Sequence, residues 1–215
     1  MPRLRHHVNP LHASYLATGA SRLPLPAGRE VEVELGCADA LFLFERAAAD
    51  PALFCVGVEL RRDLVDDVNR RAREAGLHHL QAVFANGQTE FDALFPEGSL
   101  ARVFINFPDP WFKRRHQKRR VVSAGLVAAI DRTLTAGGEL FFQSDVFDLA
   151  LDAMAAIEES ARFDNLHGEW SFAPENPFGA RSLREVRCRE RALPIWRMHY
   201  RRAATPLLHG GRDAG

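Results

Sequence analysis

The sequence predicts an α/β fold in which a mostly parallel, doubly wound sheet carries helices on both faces. Short apolar runs of strand length alternate along the chain with longer segments that have helical periodicity. Glycine or proline punctuates most of these segments. The 215 residues suffice for one sizeable α/β domain, and no apolar run approaches the ~20 residues that span a bilayer.

The predicted elements follow one another from residue 31. The strand candidates are the apolar runs Val31–Leu35, Phe54–Glu59, Leu80–Phe84, Arg102–Asn106, Glu139–Ser144 and Ile195–Tyr200. The helix candidates are Leu41–Ala49, Arg62–Ala75, Val121–Thr135 and Val146–Arg162. Strands that alternate with helices pair in parallel through right-handed crossovers, so we expect ligands at the carboxyl ends of the strands.

The chain divides into three parts. Residues 1–29 form a basic N-terminal arm and a linker, because glycine and proline recur from Thr18 to Arg29. Residues 30–202 carry the α/β pattern, with a loop-rich stretch from His167 to Arg181. Residues 203–215 are small and polar, which predicts a disordered tail.

Cysteine and histidine usage predicts a reduced protein without a metal site. Cys37, Cys55 and Cys188 are far apart and odd in number, which favours the reducing cytoplasm. The nine histidines form no HExxH motif, so we expect no metal. The basic first ten residues precede no apolar stretch, so we expect neither a signal peptide nor a membrane partner.

Basic residues are clustered although the formal net charge is zero. Eight arginines and two acidic residues occupy 181–202, which is equally consistent with a solvated surface and with a basic face. The segment Ile105–Arg120 is denser, because the chain's two lysines and four arginines follow directly after Asn-Phe-Pro-Asp-Pro-Trp. A buried strand would thus deliver an acidic turn beside a phosphate-binding surface, which suits an enzyme that acts on a nucleic-acid base.

Small and polar residues stand at the first three strand ends. A dinucleotide site needs GxGxxG, and the segment GCADA supplies only Gly36, so a nicotinamide dehydrogenase is excluded. S-adenosylmethionine carries no phosphate and needs a tight turn with small residues beneath it. Glu59 lies about 23 residues beyond Gly36, where a carboxylate accepts ribose hydroxyls, and Asn86 can contact an adenine edge. Together they favour an adenosine site.

Pro108 and Pro110 bracket Asp109 and make its turn stiff, which suits a precisely aimed carboxylate. Trp111 and Phe112 belong to the core or offer a stacking face to an extruded base. We expect one of the two to be core.

Three polar residues follow the later strands. Asp145 ends the fifth strand and is expected at the same edge of the sheet as Asp109. Ser182 and Glu185 lie beyond the loop-rich stretch and are candidates to close over the site.

From its first strand to Arg202 the chain resembles the bacterial tRNA (guanine-N7)-methyltransferases, with a shorter likeness in the basic arm. That family has PDPW, one further residue and lysine, then RHxKRR; here these stand at 108–113 and 115–120. The resemblance implies a Rossmann-like class I methyltransferase with a seven-stranded sheet whose last strand is antiparallel. It implies methyl transfer from S-adenosylmethionine to N7 of a guanosine, in the variable loop of tRNA. The protein would be a monomer or homodimer.

The resemblance also implies roles for individual residues. Asp109 would be catalytic. The cofactor-binding positions match Glu34, Gly36, Glu59, Asn86 and Asp109. The substrate-binding positions match Lys113, Asp145, Ser182 and Glu185. The RNA-binding run matches Arg115, His116, Gln117, Lys118, Arg119 and Arg120.

One segment departs from the family pattern, since GCADA replaces GxGxG. If the second or third glycine has a positive φ, alanine there costs about 1–2 kcal/mol. Asp39 adds a negative charge near the methionine carboxylate, or else pairs with the ammonium group. The departure leaves open a weakly active paralogue or a non-catalytic RNA-binding protein. The basic cluster disfavours a small-molecule methyltransferase.

Overall fold

The computed structural model describes residues 17–110 and 121–204. Its strands are β1 (Val31–Leu35), β2 (Phe54–Glu59), β3 (Leu80–Phe84), β4 (Leu100–Asn106), β5 (Leu134–Ser144), β6 (Phe163–Asn165) and β7 (Trp196–Arg202). Its helices are α1 (Leu41–Ala49), α2 (Arg62–Glu74), α3 (Phe91–Leu94), α4 (Ala124–Thr133), α5 (Phe147–Glu158) and α6 (Leu183–Glu190).

The seven strands form one sheet in the order β3-β2-β1-β4-β5-β7-β6. Neighbours from β3 to β5 are parallel, and β7 runs antiparallel to both β5 and β6. The order reverses beside β1, so the carboxyl ends of β1 and β4 flank the crevice where such sheets bind ligands. The predicted fold class is confirmed.

Alternating residues of the central strands build a core on each face of the sheet. Ile105 and Phe142 face the side that α3, α4 and α5 cover, whereas Phe104 and Phe141 face the side of α1 and α2. Phe178, from the loop before α6, packs its ring edge-on against Phe104 and Phe141, with centroids 4.9 and 5.2 Å away. This aromatic contact seats the loop on the sheet and so positions α6 beside the strand ends.

Some elements differ from the sequence prediction. The helix predicted from Val121 begins at Ala124, because Oγ of Ser123 accepts a hydrogen bond from Leu126 N and caps it. Strand β5 begins at Leu134, five residues before the predicted start, which makes the predicted helix too long at its end as well. The short elements β6 and α3 and the polar helix α6 were not predicted.

The segment from Thr18 to Arg29 has no helix or strand but is attached to the domain through Glu90. Oε1 of Glu90 accepts from Thr18 N at 2.8 Å, and Oε2 accepts from Thr18 Oγ1 at 2.6 Å and from Asn86 N at 2.9 Å. Burial works to raise the pKa of Glu90, but the hydrogen bonds from Thr18, Asn86 and Ala20 prevail and lower it to about 2. One carboxylate thus joins the linker to the loop after β3.

Candidate functional site

A cavity of about 360 Å³ opens at the carboxyl ends of β1 to β5. This volume is within the range of small-molecule sites. Its wall contains seven of the residues singled out from the sequence: Glu34, Gly36, Glu59, Asn86, Asp109, Asp145 and Ser182. The structure therefore places Asp109 at the same edge of the sheet as Glu34 and Glu59, with open space between them.

Glu34, near the end of β1, is buried and only partly hydrogen bonded. Its Oε1 accepts from Asn106 Nδ2 at 2.7 Å, whereas its buried Oε2 has no hydrogen-bond partner among the described residues. Burial raises the pKa of Glu34 to about 8; the Asn106 hydrogen bond opposes that shift, and the charges of Asp39 and Glu59 add to it. A cationic ligand group beside Oε2 would relieve this cost.

The turn from Gly36 to Ala40 contains the two alanines that stand where the family pattern GxGxG, to which the sequence was compared, has glycine. Both have left-handed backbones, with φ of 48° at Ala38 and 56° at Ala40. The condition for a backbone cost is therefore met, at about 1–2 kcal/mol each. Hydrogen bonds hold the turn: Ala38 N donates to Oε2 of Glu59 at 3.0 Å, and Leu41 N donates to Oδ1 of Asp39 at 2.9 Å. Asp39 thus helps to begin α1 as well as lining the cavity.

Glu59, at the end of β2, collects donors from its own turn. Oε1 accepts from Leu60 N at 2.9 Å and from Arg61 N and Nε at 3.1 Å each, and Oε2 accepts from Arg61 Nη2 at 3.1 Å. Arg61 also lines the cavity and is one-third exposed. A ligand hydroxyl that binds Glu59 would therefore have to share it with, or displace, this guanidinium.

Asn86 and Asp109 lie in the two loops that follow β3 and β4. Asn86 is buried, and its Oδ1 accepts from Gln88 N at 3.1 Å. The turn before Asp109 contains Phe107 with a left-handed φ of 50°, and Phe107 N donates to the Gln143 carbonyl at 2.7 Å. This unusual backbone turns the chain out of β4 and brings half-buried Asp109 into the cavity wall.

Asp145 forms an ion pair across the cavity wall with Arg184 on α6. Arg184 Nη2 lies 2.5 Å from Asp145 Oδ2, and both side chains are largely buried. Ser182 begins the same helix, since its Oγ accepts from Glu185 N at 3.2 Å. The first turn of α6 therefore forms the side of the cavity next to β5.

Glu185 lies behind the cavity wall, since its side chain is fully buried and is absent from the lining. Its carboxylate accepts from Gln143 Nε2 at 3.1 Å, Asn176 Nδ2 at 3.0 Å and Arg197 Nη2 at 3.2 Å. The structure thus joins Glu185 to the strands and to the loop before α6.

Sequence reasoning missed several polar residues in or behind the wall, among them Arg61, Asn106, Gln143 and Arg184. Asn106 and Gln143 had a signal, because an amide inside an apolar strand must find a buried partner. The two arginines had none beyond composition. The predicted RNA-binding residues at 115–120, together with Lys113, Trp111 and Phe112, lie outside the described residues. Pro110 and Val121 flank that segment, and both line the cavity.

Among the described residues, no cluster of histidine, cysteine, aspartate or glutamate could hold a metal ion. None of the helices in this part of the chain is long and apolar enough to cross a bilayer. The three cysteines are buried and unpaired.

Comparison with known proteins decides the family. The model of a family described as putative methyltransferases matches residues 28–198. A tRNA (guanine-N(7)-)-methyltransferase of Synechococcus elongatus is 38% identical over 202 residues, which cover 91% of this chain and 94% of the relative. The chain belongs to the tRNA (guanine-N(7)-)-methyltransferase family. Another relative with that name, from a Synechocystis species, is 37% identical to this protein. The match covers 91% of this chain and 95% of the relative.

Solved structures share the fold of this family member at low sequence identity. The antibiotic-resistance methyltransferase Kmr superposes with a TM-score of 0.54 at 20% identity, over 82% of this chain and 89% of that one. A precorrin-6y C5,15-methyltransferase from Geobacter metallireducens superposes with a TM-score of 0.54 at 14% identity. This match covers 81% of this chain and 82% of that one. These neighbours support the class I methyltransferase fold.

Proposed function

We propose that this protein transfers a methyl group from S-adenosylmethionine to N7 of a guanosine in tRNA, at a nucleotide of the variable loop. The observation that carries the proposal is one cavity that brings Glu34, Glu59 and Asn86 together with Asp109 and Asp145. Family membership supplies the reaction and the substrate class. A tRNA substrate and three unpaired cysteines are consistent with a cytoplasmic enzyme.

The residues on the β1–β3 side fit the cofactor. The unpartnered Oε2 of Glu34 suits its ammonium group, and Glu59 suits the ribose hydroxyls once Arg61 shares the carboxylate. Gly36 and Ala38 leave room beside the turn, and Asn86 suits the adenine edge. When bound, S-adenosylmethionine supplies an electrophilic methyl group on a sulfonium sulfur.

The residues on the β4–β5 side would align the base. Guanine N7 has an in-plane lone pair and carries no proton, so the protein needs to orient it rather than to deprotonate it. Asp109 would orient the guanine at the reacting end of the cavity. Asp145 and Ser182 would hold its polar edge, with Glu185 fixing α6 from behind. The methylated ring becomes cationic, and the nearby carboxylates would stabilise that charge as it develops.

The basic segment would bind the tRNA backbone. Lys113 and the run Arg115–Arg120 lie between Pro110 and Val121 of the cavity wall, so phosphates held there would lie beside the site. Phosphate contacts position a nucleic acid, while the cavity would select the base.

The test is incubation of the purified protein with unmodified tRNA and methyl-labelled cofactor, followed by nucleoside mass spectrometry. We expect label in 7-methylguanosine. A transcript made with 7-deazaguanosine, which lacks N7, is the matched control and should accept no label. Label in any other nucleoside, or none, would overturn the proposal.

A further inference from the structure

Two buried carboxylates, one in the cavity wall and one behind it, are joined by two side-chain amides. Asn106 Nδ2 donates to Oε1 of Glu34 at 2.7 Å. Gln143 Nε2 donates to Oδ1 of Asn106 at 2.9 Å and to Oε2 of Glu185 at 3.1 Å. All four residues are buried, with exposures of 0–8%. We call Asn106 and Gln143 the amide bridge; it crosses β1, β4 and β5 and ends on α6.

The amide bridge has a direction, which Glu185 sets. Glu185 Oε1 faces Arg197 and Arg189, whose Nη2 atoms lie 3.2 and 3.1 Å away. A carboxylate can only accept hydrogen bonds, so Gln143 must turn its NH₂ group toward Glu185 and Asn106. Asn106 then receives that bond on its oxygen and must turn its own NH₂ group toward Glu34.

This direction matters for the ligand side of Glu34. An N–H from Asn106 satisfies Oε1 and supports the charged form of the carboxylate, which leaves Oε2 for a ligand cation. The opposite orientation of Asn106 would place a carbonyl oxygen against Glu34 and repel its negative charge. Within the described part of the chain, the side-chain amide of Asn106 bonds only to Glu34 and Gln143, so Gln143 fixes its orientation.

We propose that Gln143 is a positioning residue for cofactor binding: backed by Glu185, it orients Asn106 so that Glu34 presents a hydrogen-bonded carboxylate to the ammonium group. Gln143 itself is outside the cavity lining and acts through Asn106. The inference rests on the proposed function for the identity of the cofactor. It adds a residue that the sequence comparison with the family did not single out.

The acidic surroundings of Glu34 make the role measurable by pH. Burial raises the pKa of Glu34, the charges of Asp39 and Glu59 add to that shift, and the hydrogen bond from Asn106 lowers this pKa. Burial also raises the pKa of neighbouring Cys37 well above its ordinary value. Loss of the Asn106 orientation should therefore raise the pKa of Glu34 further and move the pH dependence of cofactor binding upward.

The experiment is calorimetric titration of the purified full chain with S-adenosylmethionine at several pH values, for wild type and Gln143→Met. We expect the variant to bind about tenfold more weakly near neutral pH, as for the removal of one charge-assisted hydrogen bond. On the acidic side of its pH optimum, the affinity of the variant should reach half of its maximum at a higher pH than that of wild type, whereas loss of the ligand's ammonium proton limits both proteins on the alkaline side.

Two further variants separate positioning from packing. Phe142→Leu, at the neighbouring buried residue on the opposite face of β5, should lower the melting temperature without moving affinity or pH midpoint. Glu185→Gln preserves shape outside the cavity but no longer forces the orientation of Gln143, so it should weaken binding and raise the midpoint. Because it also removes the counter-charge of buried Arg197, its binding is measured well below its own melting temperature, and under that condition it keeps the test available if Gln143→Met does not fold.

Unchanged affinity and midpoint in Gln143→Met and Glu185→Gln would overturn the positioning role alone. Weaker binding with an unshifted midpoint would overturn it as well, because packing would explain the loss. A wild-type protein that does not bind S-adenosylmethionine would overturn the proposed function together with this role.

Discussion

Arg46 on α1 donates from Nε and Nη2 to the two carboxylate oxygens of Glu32 on β1, at 2.8 and 2.6 Å. Arg102 Nη1 adds a third bond to Glu32 at 2.9 Å and reaches Glu30 at the same distance. Glu32 is fully buried, whereas Glu30 is 61% exposed. One arginine thus contacts two carboxylates that differ chiefly in burial.

Glu32→Gln should destabilise the fold strongly, because it leaves the largely buried Arg46 without its counter-charge and removes one of three carboxylates from Arg102. We expect a loss of about 3–5 kcal/mol in the free energy of unfolding. Glu30→Gln is the control and should cost less than about 1 kcal/mol, since an exposed pair contributes little. Urea denaturation of both variants measures the free energy of unfolding. Equal losses in the two variants would contradict the prediction that burial of Glu32 makes its ion pairs more important for stability than those of Glu30.

Cofactor binding should release a proton at neutral pH. The pKa of Glu34 is raised to about 8, so its carboxyl is mostly protonated there, and an ammonium group beside it favours ionisation. Calorimetry in buffers of different ionisation enthalpy measures the proton released. Glu34→Gln should abolish the release, and a buffer-independent enthalpy in wild type would contradict the prediction.

The same group should make stability fall with rising pH. The folded pKa of Glu34, about 8, lies above its ordinary 4.5, so the folded state holds the proton more tightly. Its contribution is fully present below pH 4.5 and is lost as pH rises through about 8. The stability difference between Glu34→Gln and wild type should therefore grow over this window, as followed by chemical denaturation. A constant difference would contradict a raised pKa.

Ala38→Gly should stabilise the protein. The left-handed backbone at φ 48° costs alanine about 1–2 kcal/mol, and glycine loses about 0.5–1 kcal/mol through its freer unfolded chain. The net gain should be up to about 1.5 kcal/mol. Ala48→Gly, at an exposed position inside α1, should instead cost about 1 kcal/mol. Thermal denaturation of both variants measures the change in stability. An equal loss of stability in Ala38→Gly and Ala48→Gly would refute backbone strain at Ala38.

Asp109→Ala should slow methyl transfer strongly while tRNA affinity stays within about twofold. The carboxylate lies in the cavity wall, where we propose that it aligns the base, so its loss should lower kcat by about 10²–10³-fold. Asp92→Ala, at a half-exposed residue of α3, should retain wild-type turnover. Single-turnover kinetics and filter binding separate the two effects. Near wild-type turnover in Asp109→Ala would show that the catalytic assignment is wrong.

Replacing Arg115, Lys118 and Arg119 together with glutamine should weaken tRNA binding and reduce its salt dependence. The slope of log affinity against log salt should flatten by about 0.7–0.9 for each phosphate that the variant no longer neutralises. Glutamine at the exposed α2 residues Arg70 and Arg73 provides a control with little expected change. An unchanged slope in the triple variant would remove the cluster from the tRNA interface.

The boundaries of some strands that border the site could be predicted with single-residue accuracy from the apolar runs in the sequence. This holds for β1, β2 and β3, which are short runs of mostly apolar residues with the predicted bounds. The helix α6 has almost no apolar periodicity, since its buried residues are Glu185 and Cys188. Its sequence signal was the spacing of Ser182 and Glu185, which is typical of a capped helix start.

The site was predictable where one residue at one strand end suffices. Glu34, Glu59, Asn86, Asp109 and Asp145 each lie at or just beyond the carboxyl end of a strand, so the sheet itself brings them together. The position of Glu185 behind the wall was not predictable, because it depends on how the loop before α6 packs.

The amide contacts depend on the same packing, and so do the arginine pairs. Asn106 and Gln143 meet through the register of β4 and β5, and Arg61 and Arg184 reach their carboxylates through side-chain conformation. Sequence spacing carries no information on such contacts until the elements are placed in three dimensions.

The position of β7 between β5 and β6 determines the order in which the strands can pair during synthesis at the ribosome. Each strand from β2 to β5 emerges after a neighbour with which it can pair, but β6 is synthesised before β7, its partner within the described sheet. Until β7 emerges, the backbone donors and acceptors on the outer side of β5 have no strand to bind, and such open edges attract other nascent chains. A delay before β7 emerges would therefore favour aggregation, whereas pairing of β7 with β5 covers this edge.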